Sequence, residues 1–125
     1  MSAWLQCLTV GAAGFAGAVT RFGLNLAAAA VVPARPWLGT FAINVTGCFA
    51  LGYFLAAFGD RFGPAHPIRL AVAVGFLGAY TTFSTFAAES DALLARGAYA
   101  TFGLYVGGSI GLGLLACAAG AAAGR

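Results

Sequence analysis

The sequence predicts an all-α integral membrane protein of four transmembrane helices. Three observations predict it: charge is scarce, the apolar residues fall into four long blocks, and the links between blocks are short. Of the 125 residues, 62% are hydrophobic and 7% charged, whereas ordinary soluble domains are about 25% charged. Lysine is absent, and the charges lie at Arg21, Arg35, Asp60, Arg61, Arg69, Glu89, Asp91, Arg96 and Arg125.

The first block runs from Ala3 to Val32, interrupted by Arg21 and Asn25. No basic region precedes it and it is too long for a secretory signal, so it reads as a retained helix. VPARP, ending at Pro36, links it to the second block, Trp37 to Gly59, which carries no charge. At 1.5 Å per residue that block reaches roughly 35 Å, enough for a hydrocarbon core of about 30 Å. DRFGPAHP, Asp60 to Pro67, then leads to the third block, Leu70 to Ala88, and ESDALLAR, Glu89 to Arg96, links it to the fourth, Gly97 to Gly124. Proline and charge mark the first two links. As helices the spans are set at about 3–32, 37–59, 69–95 and 97–123, in one domain covering 1–125.

Cys7, Cys48 and Cys117 fall singly inside spans, without CxxC spacing or a nearby histidine, and read as packing residues. His66 stands alone in a proline-bounded loop and reads as a surface residue. The net charge of +3 comes from loop arginines and does not suggest a nucleic-acid partner.

With four spans, the termini and the middle loop share one membrane side, with Arg61, Arg69 and Arg125; the other side has Arg35 and Arg96, plus Arg21 if it reaches the interface. Orientation follows this bias, and a near tie gives the insertion machinery little to choose between. Two readings follow: one marginal arginine still decides, or both orientations form and two inverted copies pair as an antiparallel homodimer. Size favours pairing, because four short helices scarcely surround a polar path. Close packing is supported by Gly103, Gly107 and Gly111 on one face of the fourth span, and by Gly11, Gly14 and Gly17 in the first.

Several polar residues lie where lipid is expected. Asn44 needs a partner, either a neighbouring helix or a polar path into which its amide points. Thr101, Tyr105 and Ser109 form a stripe at helical spacing, which either lines a pore or bonds back to its own helix. Arg21 cannot be neutralised and must snorkel, pair or meet water.

The stretch GAYTTFSTF, Gly78 to Phe86, has poor helix propensity, since glycine is entropically costly and β-branched residues lose rotamer freedom. A break there frees carbonyls, and those of Gly78 and Thr81 are placed to hold a monovalent cation. Phe83 and Phe86 share a helix face. They serve either ordinary packing or contact with an anion through the partly positive ring edge, with Ser84 and Thr85 passing the ion along.

Three motifs in order, GFAGAVTR (Gly14 to Arg21), GTFAINVTGCFALG (Gly39 to Gly52) and GFLGAYTTFSTF (Gly75 to Phe86), resemble those of the small bacterial fluoride channels, the Fluc or CrcB family. The third is highly specific, and the match covers almost the whole chain. The resemblance implies a dual-topology antiparallel homodimer in the bacterial inner membrane, with two fluoride pathways built from both subunits. It assigns Asn44 as amide donor, and Phe83 and Phe86 as the ring pair along the ion path. Ser84, Thr85, Tyr105 and Ser109 become polar positions beside the pore. It places Arg21 at the aqueous vestibule, and gives the Gly78 and Thr81 carbonyls of both subunits a structural sodium ion at the dimer centre. Departures are few: Ala13 stands where a glycine often precedes Gly14, and Gly113 shortens the hydroxyl stripe beyond Ser109. Some members pair two homologous chains; the arginine tie favours a homodimer here.

The implied function is passive fluoride export that confers fluoride resistance, not catalysis. Neutral donors suit a small, strongly hydrated anion that must be both bound and released. An inside-negative potential near 100 mV favours its exit by about 2.3 kcal/mol. Two rival readings are a proton-coupled small multidrug exporter of dual topology, which needs a membrane-embedded carboxylate, and a structural membrane subunit, which leaves Asn44, Arg21 and TTFSTF without a purpose.

Overall fold

Each apolar block becomes a helix in the computed structural model, which describes Met1–Arg125. Four helical segments are long and apolar enough to cross a membrane: Ala3–Val31, Trp37–Phe58, Pro67–Ala95 and Tyr99–Ala123. Helix α1 (Ala3–Val31) opens on Ser2, whose hydroxyl accepts from the Leu5 N–H at 3.5 Å. It ends before Pro33, which cannot extend it. Helix α2 (Trp37–Phe58) follows Pro36.

The third span is composite. His66 caps it, with Nδ1 accepting from the Ile68 N–H at 3.2 Å, so this loop histidine has a structural task. Helix α3 (Pro67–Arg69) passes into a loosely wound π-helical segment, Leu70–Leu77, and then into α4 (Gly78–Tyr80). Thr81 and Thr82 are extended, and α5 (Phe83–Ala95) begins beyond them. The expected break therefore lies within GAYTTFSTF. ESDALLAR, in contrast, is not a link: all but its last residue continue α5. The turn to α6 (Tyr99–Ala123) is made by Arg96, Gly97 and Ala98 alone. Gly97 takes φ 71°, and the Gly97 and Ala98 N–H groups return to the Leu94 and Leu93 carbonyls, both at 2.9 Å. This closing motif needs a left-handed residue, which glycine supplies.

Two helix pairs hold the protomer together: α6 lies along α2, and α1 lies against the π segment and α4. Both rest on glycine. A side-chain carbon on Gly52 would overlap the Cys117 carbonyl, and one on Gly120 the Phe49 carbonyl. On α1, Gly17 abuts the Phe76 carbonyl and Gly14 approaches Gly75, whereas Gly11 touches nothing. Gly103, Gly107 and Gly111 likewise meet nothing within the protomer; the packed face of α6 is that of Gly113, Gly120 and Gly124. A small core gathers around Ile43, Leu77 and Tyr80. Only 16 of 125 residues are buried, so most apolar side chains are left to lipid or to another copy.

Candidate functional site

Helix α2 runs along the third span and meets it three times on one face, at Thr40, Asn44 and Gly47. Gly47 lies under the Tyr80 ring and the Thr81 methyl group, which lets α2 approach the break. One turn on, Asn44 grips the break. Its Nδ2 donates to the Thr82 carbonyl at 2.9 Å and its Oδ1 accepts from the Thr82 N–H at 2.8 Å. In a continuous helix that N–H would donate to the Gly78 carbonyl. Its diversion leaves the carbonyl of the exposed Gly78 without that helical donor.

Thr81 holds the end of α4, its N–H and hydroxyl donating to the Leu77 carbonyl at 3.1 and 3.0 Å. Thr82 starts α5 as its N-cap, its hydroxyl accepting from the Thr85 N–H at 3.3 Å and donating to Thr85 Oγ1 at 3.0 Å. The two rules of poor propensity and good capping thus act at adjacent threonines. Arg21, from α1, reaches the same place: its Nε donates to the Ala79 carbonyl at 3.1 Å. Of the three fates open to this arginine, the protomer uses pairing, with a peptide carbonyl as partner.

A primary amide has two N–H donors, and Asn44 spends one on Thr82. Asn44 also lines a cavity of about 280 Å³ together with Cys48, Gly78, Thr81, Thr82 and Phe83. Its bond to Thr82 is the expected pairing with a neighbouring element, and the residue also lines this cavity.

One turn further along α2, Thr40 enters a second polar cluster. Its hydroxyl donates to Glu89 Oε1 at 3.1 Å, and the Tyr105 hydroxyl donates to Glu89 Oε2 at 2.7 Å. Tyr105 is fully buried, with the Phe86 ring meeting it edge-on at 5.2 Å and the Trp37 ring at 5.1 Å. Glu89 and Thr40 were not among the expected site residues. Glu89 reads in the sequence as the start of a link, and Thr40 lies within GTFAINVTGCFALG without being singled out. Thr40 stands four before Asn44, on the same helix face, and that spacing is the signal available in the sequence.

The remaining expected residues divide. Phe83 and Phe86 are paired at 5.6 Å, but Phe83 is 80% exposed and Phe86 half-buried against Tyr105. Ser84 is exposed beside Thr82, and Thr85 is tied to Thr82. On α6, neither Tyr105 nor Ser109 bonds back to its own helix: Tyr105 goes to Glu89, and the Ser109 hydroxyl is buried without a partner. Beyond Ser109, Gly113 faces the Cys48 sulfur, so a thiol from α2 fills the place where the stripe stops. The site thus presents an amide, hydroxyls and ring edges, with a carboxylate that accepts from two hydroxyl donors. Such groups suit the passage of a small anion without the tight binding of a bare cation.

The family model described as CrcB-like protein, Camphor Resistance (CrcB), matches residues 8–121. The chain is 38% identical over 122 residues to the fluoride-specific ion channel FluC of Rhizobium etli, covering 97% of each. It is 39% identical over 120 residues to the protein of that name from Nitratidesulfovibrio vulgaris, covering 96% of this chain and 97% of the relative. To that from Bacteroides fragilis it is 45% identical over 109 residues, covering 83% and 84%. A single family model spanning nearly all four helices, and relatives matched end to end, show that the chain belongs to the CrcB family.

Proposed function

We propose that this multi-pass membrane protein is a fluoride-selective channel that lets cytoplasmic fluoride leave passively, in the bacterial inner membrane, and so confers fluoride resistance. The observation that carries the reading is the Asn44–Thr82 exchange, which sets a neutral amide donor at a cavity beside a broken helix. The relatives' name supports fluoride as the ion. Fluoride must trade its water shell for donors weak enough to release it, and neutral groups do so. No energy source is needed, because an inside-negative potential near 100 mV drives anion exit by about 2.3 kcal/mol. A proton-coupled exporter needs a membrane-embedded carboxylate to exchange protons for cations, and the first two spans carry none.

The working unit in this reading is an antiparallel homodimer. Phe83, Ser84 and Gly78 are exposed on a single protomer although they flank the mid-span break, so a second copy is needed to wall the path. Along it the ion meets Asn44, Phe83, Phe86, Ser84, Thr85, Tyr105 and Ser109, and we add Thr40 and Glu89. Arg21 raises anion concentration at the vestibule end while holding Ala79.

A structural sodium ion fits the break. Arg21 occupies the Ala79 carbonyl and Asn44 that of Thr82; among the carbonyls left, those of Gly78 and Thr81 are the pair that the family resemblance gives to a cation, with their counterparts from the second copy. The ion would supply positive charge that fixes the freed carbonyls in place.

Purified protein in liposomes, given an outward fluoride gradient and a potassium diffusion potential, should release fluoride and retain chloride. Equal release of both anions overturns the reading.

A further inference from the structure

The phenol of Tyr80 is buried at the break, away from the cavity that Asn44 lines. Its ring lies over Gly47 of α2 and stacks on the Phe76 ring at 6.0 Å. Its hydroxyl has one partner, Thr46 Oγ1 at 2.9 Å. The direction of that bond follows from a count of protons. Thr46 has a single hydroxyl proton, and its oxygen stands 2.7 Å from the Ala42 carbonyl and 3.1 Å from that of Ile43, so the proton goes to its own helix. Tyr80 is therefore the donor, and the chain of bonds runs from Tyr80 through Thr46 to α2.

Tyr80 and Thr46 share the wall of a cavity of about 480 Å³ between α1 and α2, and the other side chains there are apolar, Leu24, Val31 and Ile43 among them. The phenol has no other acceptor in that wall, so losing the bond strands a buried donor. Tyr80 and Thr82 flank Thr81, the corner of the break. Asn44 holds Thr82 and Thr46 holds Tyr80, so α2 grips the corner at two points, on either side of Gly47 around the helix. One point would leave the corner free to pivot about the Thr82 peptide, whereas two fix it. A pivot would move Gly78, Thr81 and Phe83, which line the same cavity as Asn44.

We infer that the Tyr80 hydroxyl, through Thr46, is a positioning group of the ion path: it holds the break in the orientation that keeps Asn44, Thr82 and Phe83 around one cavity. This rests on the channel reading above. Tyr80 lines no part of that cavity and acts only through the corner it anchors.

The test is the time-averaged fluoride current of single channels in a planar bilayer, which counts only inserted, working protein. Tyr80→Phe keeps the ring and removes the donor, and its current per channel should fall about two- to tenfold, the population shift that one hydrogen bond supports. Thr46→Val should lower it at least as far, since the phenol is then left unpaired, and Thr46→Ser should keep the current of the unsubstituted protein. Adding Tyr80→Phe to Thr46→Val should cause no further loss, because the two side chains make one bond. Ser2→Ala removes the cap of α1, far from the break, and should lower thermal stability without changing the current per channel. An undiminished current in Tyr80→Phe, losses that add in the double variant, or an equal loss in Ser2→Ala overturns the positioning role. Equal fluoride and chloride currents in the unsubstituted protein would overturn the channel reading instead.

Discussion

The side-chain amide of Asn44 takes the place of a helical turn at Thr82, giving and receiving one hydrogen bond with the same peptide, at 2.9 and 2.8 Å. The break is therefore held by a residue that also faces the cavity. Asn44→Ala leaves both groups of a buried peptide unpaired, each costing about 1–3 kcal/mol. Thermal unfolding in detergent should fall by several degrees, and fluoride efflux from liposomes should fall at least about tenfold, a barrier change of roughly 1.4 kcal/mol. Asn44→Asp keeps the acceptor but sets an oxygen against the Thr82 carbonyl, and should lose efflux as fully.

The two phenylalanines should separate stability from transport. Phe83 is 80% exposed, so Phe83→Ile should change protomer stability by under about 0.5 kcal/mol while lowering fluoride efflux. Phe86 meets the Tyr105 edge at 5.2 Å, a contact worth about 0.5–1.5 kcal/mol. Phe86→Ile should therefore lower both the unfolding midpoint and the efflux. Unchanged efflux in both variants removes the rings from the path.

Glu89 depends on its donors. Tyr105→Phe strips the 2.7 Å bond from one carboxylate oxygen, and Thr40→Val the 3.1 Å bond from the other. Each should destabilise by about 1–3 kcal/mol, because a partly buried charge is left short of a partner. The double variant combined with Glu89→Gln should lose less stability than the sum of the single changes, since the three residues form one network. Chemical denaturation of the single, double and triple variants checks this.

The break and the spans were legible because their physics is local. Glycine followed by β-branched threonines weakens a helix wherever it stands, and a buried amide must find a partner. Glu89 was not legible, because its charge read as a boundary until hydroxyls from α2 and α6 were placed beside it. The fourth span left the partner of its glycine face open for a related reason. Gly103, Gly107 and Gly111 have the more regular spacing, yet the docking face is set by which glycines meet carbonyls of α2, at Gly120 and Gly124. Spacing identifies a smooth face but not its partner. Arg21 was legible as a charge needing company, but its choice of the Ala79 carbonyl depends on where the break falls.

Sodium should matter to assembly. If the Gly78 and Thr81 carbonyls of two copies hold the ion, replacing sodium with N-methylglucamine during purification should lower the dimer fraction in detergent and the efflux that follows reconstitution. Restoring sodium should recover both. Equal dimer fraction and efflux without sodium removes the ion from the break.

The glycines of α6 offer the sharpest contrast, because identical substitutions on one helix should act in opposite directions. A side-chain carbon at Gly120 would overlap the Phe49 carbonyl and approach the Tyr53 nitrogen at 2.9 Å, backbone that cannot rotate aside. Gly120→Ala should push α6 from α2 and destabilise by about 1–3 kcal/mol, as overpacking does. Gly107 has nothing within 4 Å in the protomer. Gly107→Ala should instead gain about 0.5–1 kcal/mol of helix stability within the protomer, from reduced backbone entropy in the unfolded chain. Denaturation of both variants under conditions that hold the chain monomeric decides the matter, and a loss at Gly107 equal to that at Gly120 would mean that α6 packs on the other face.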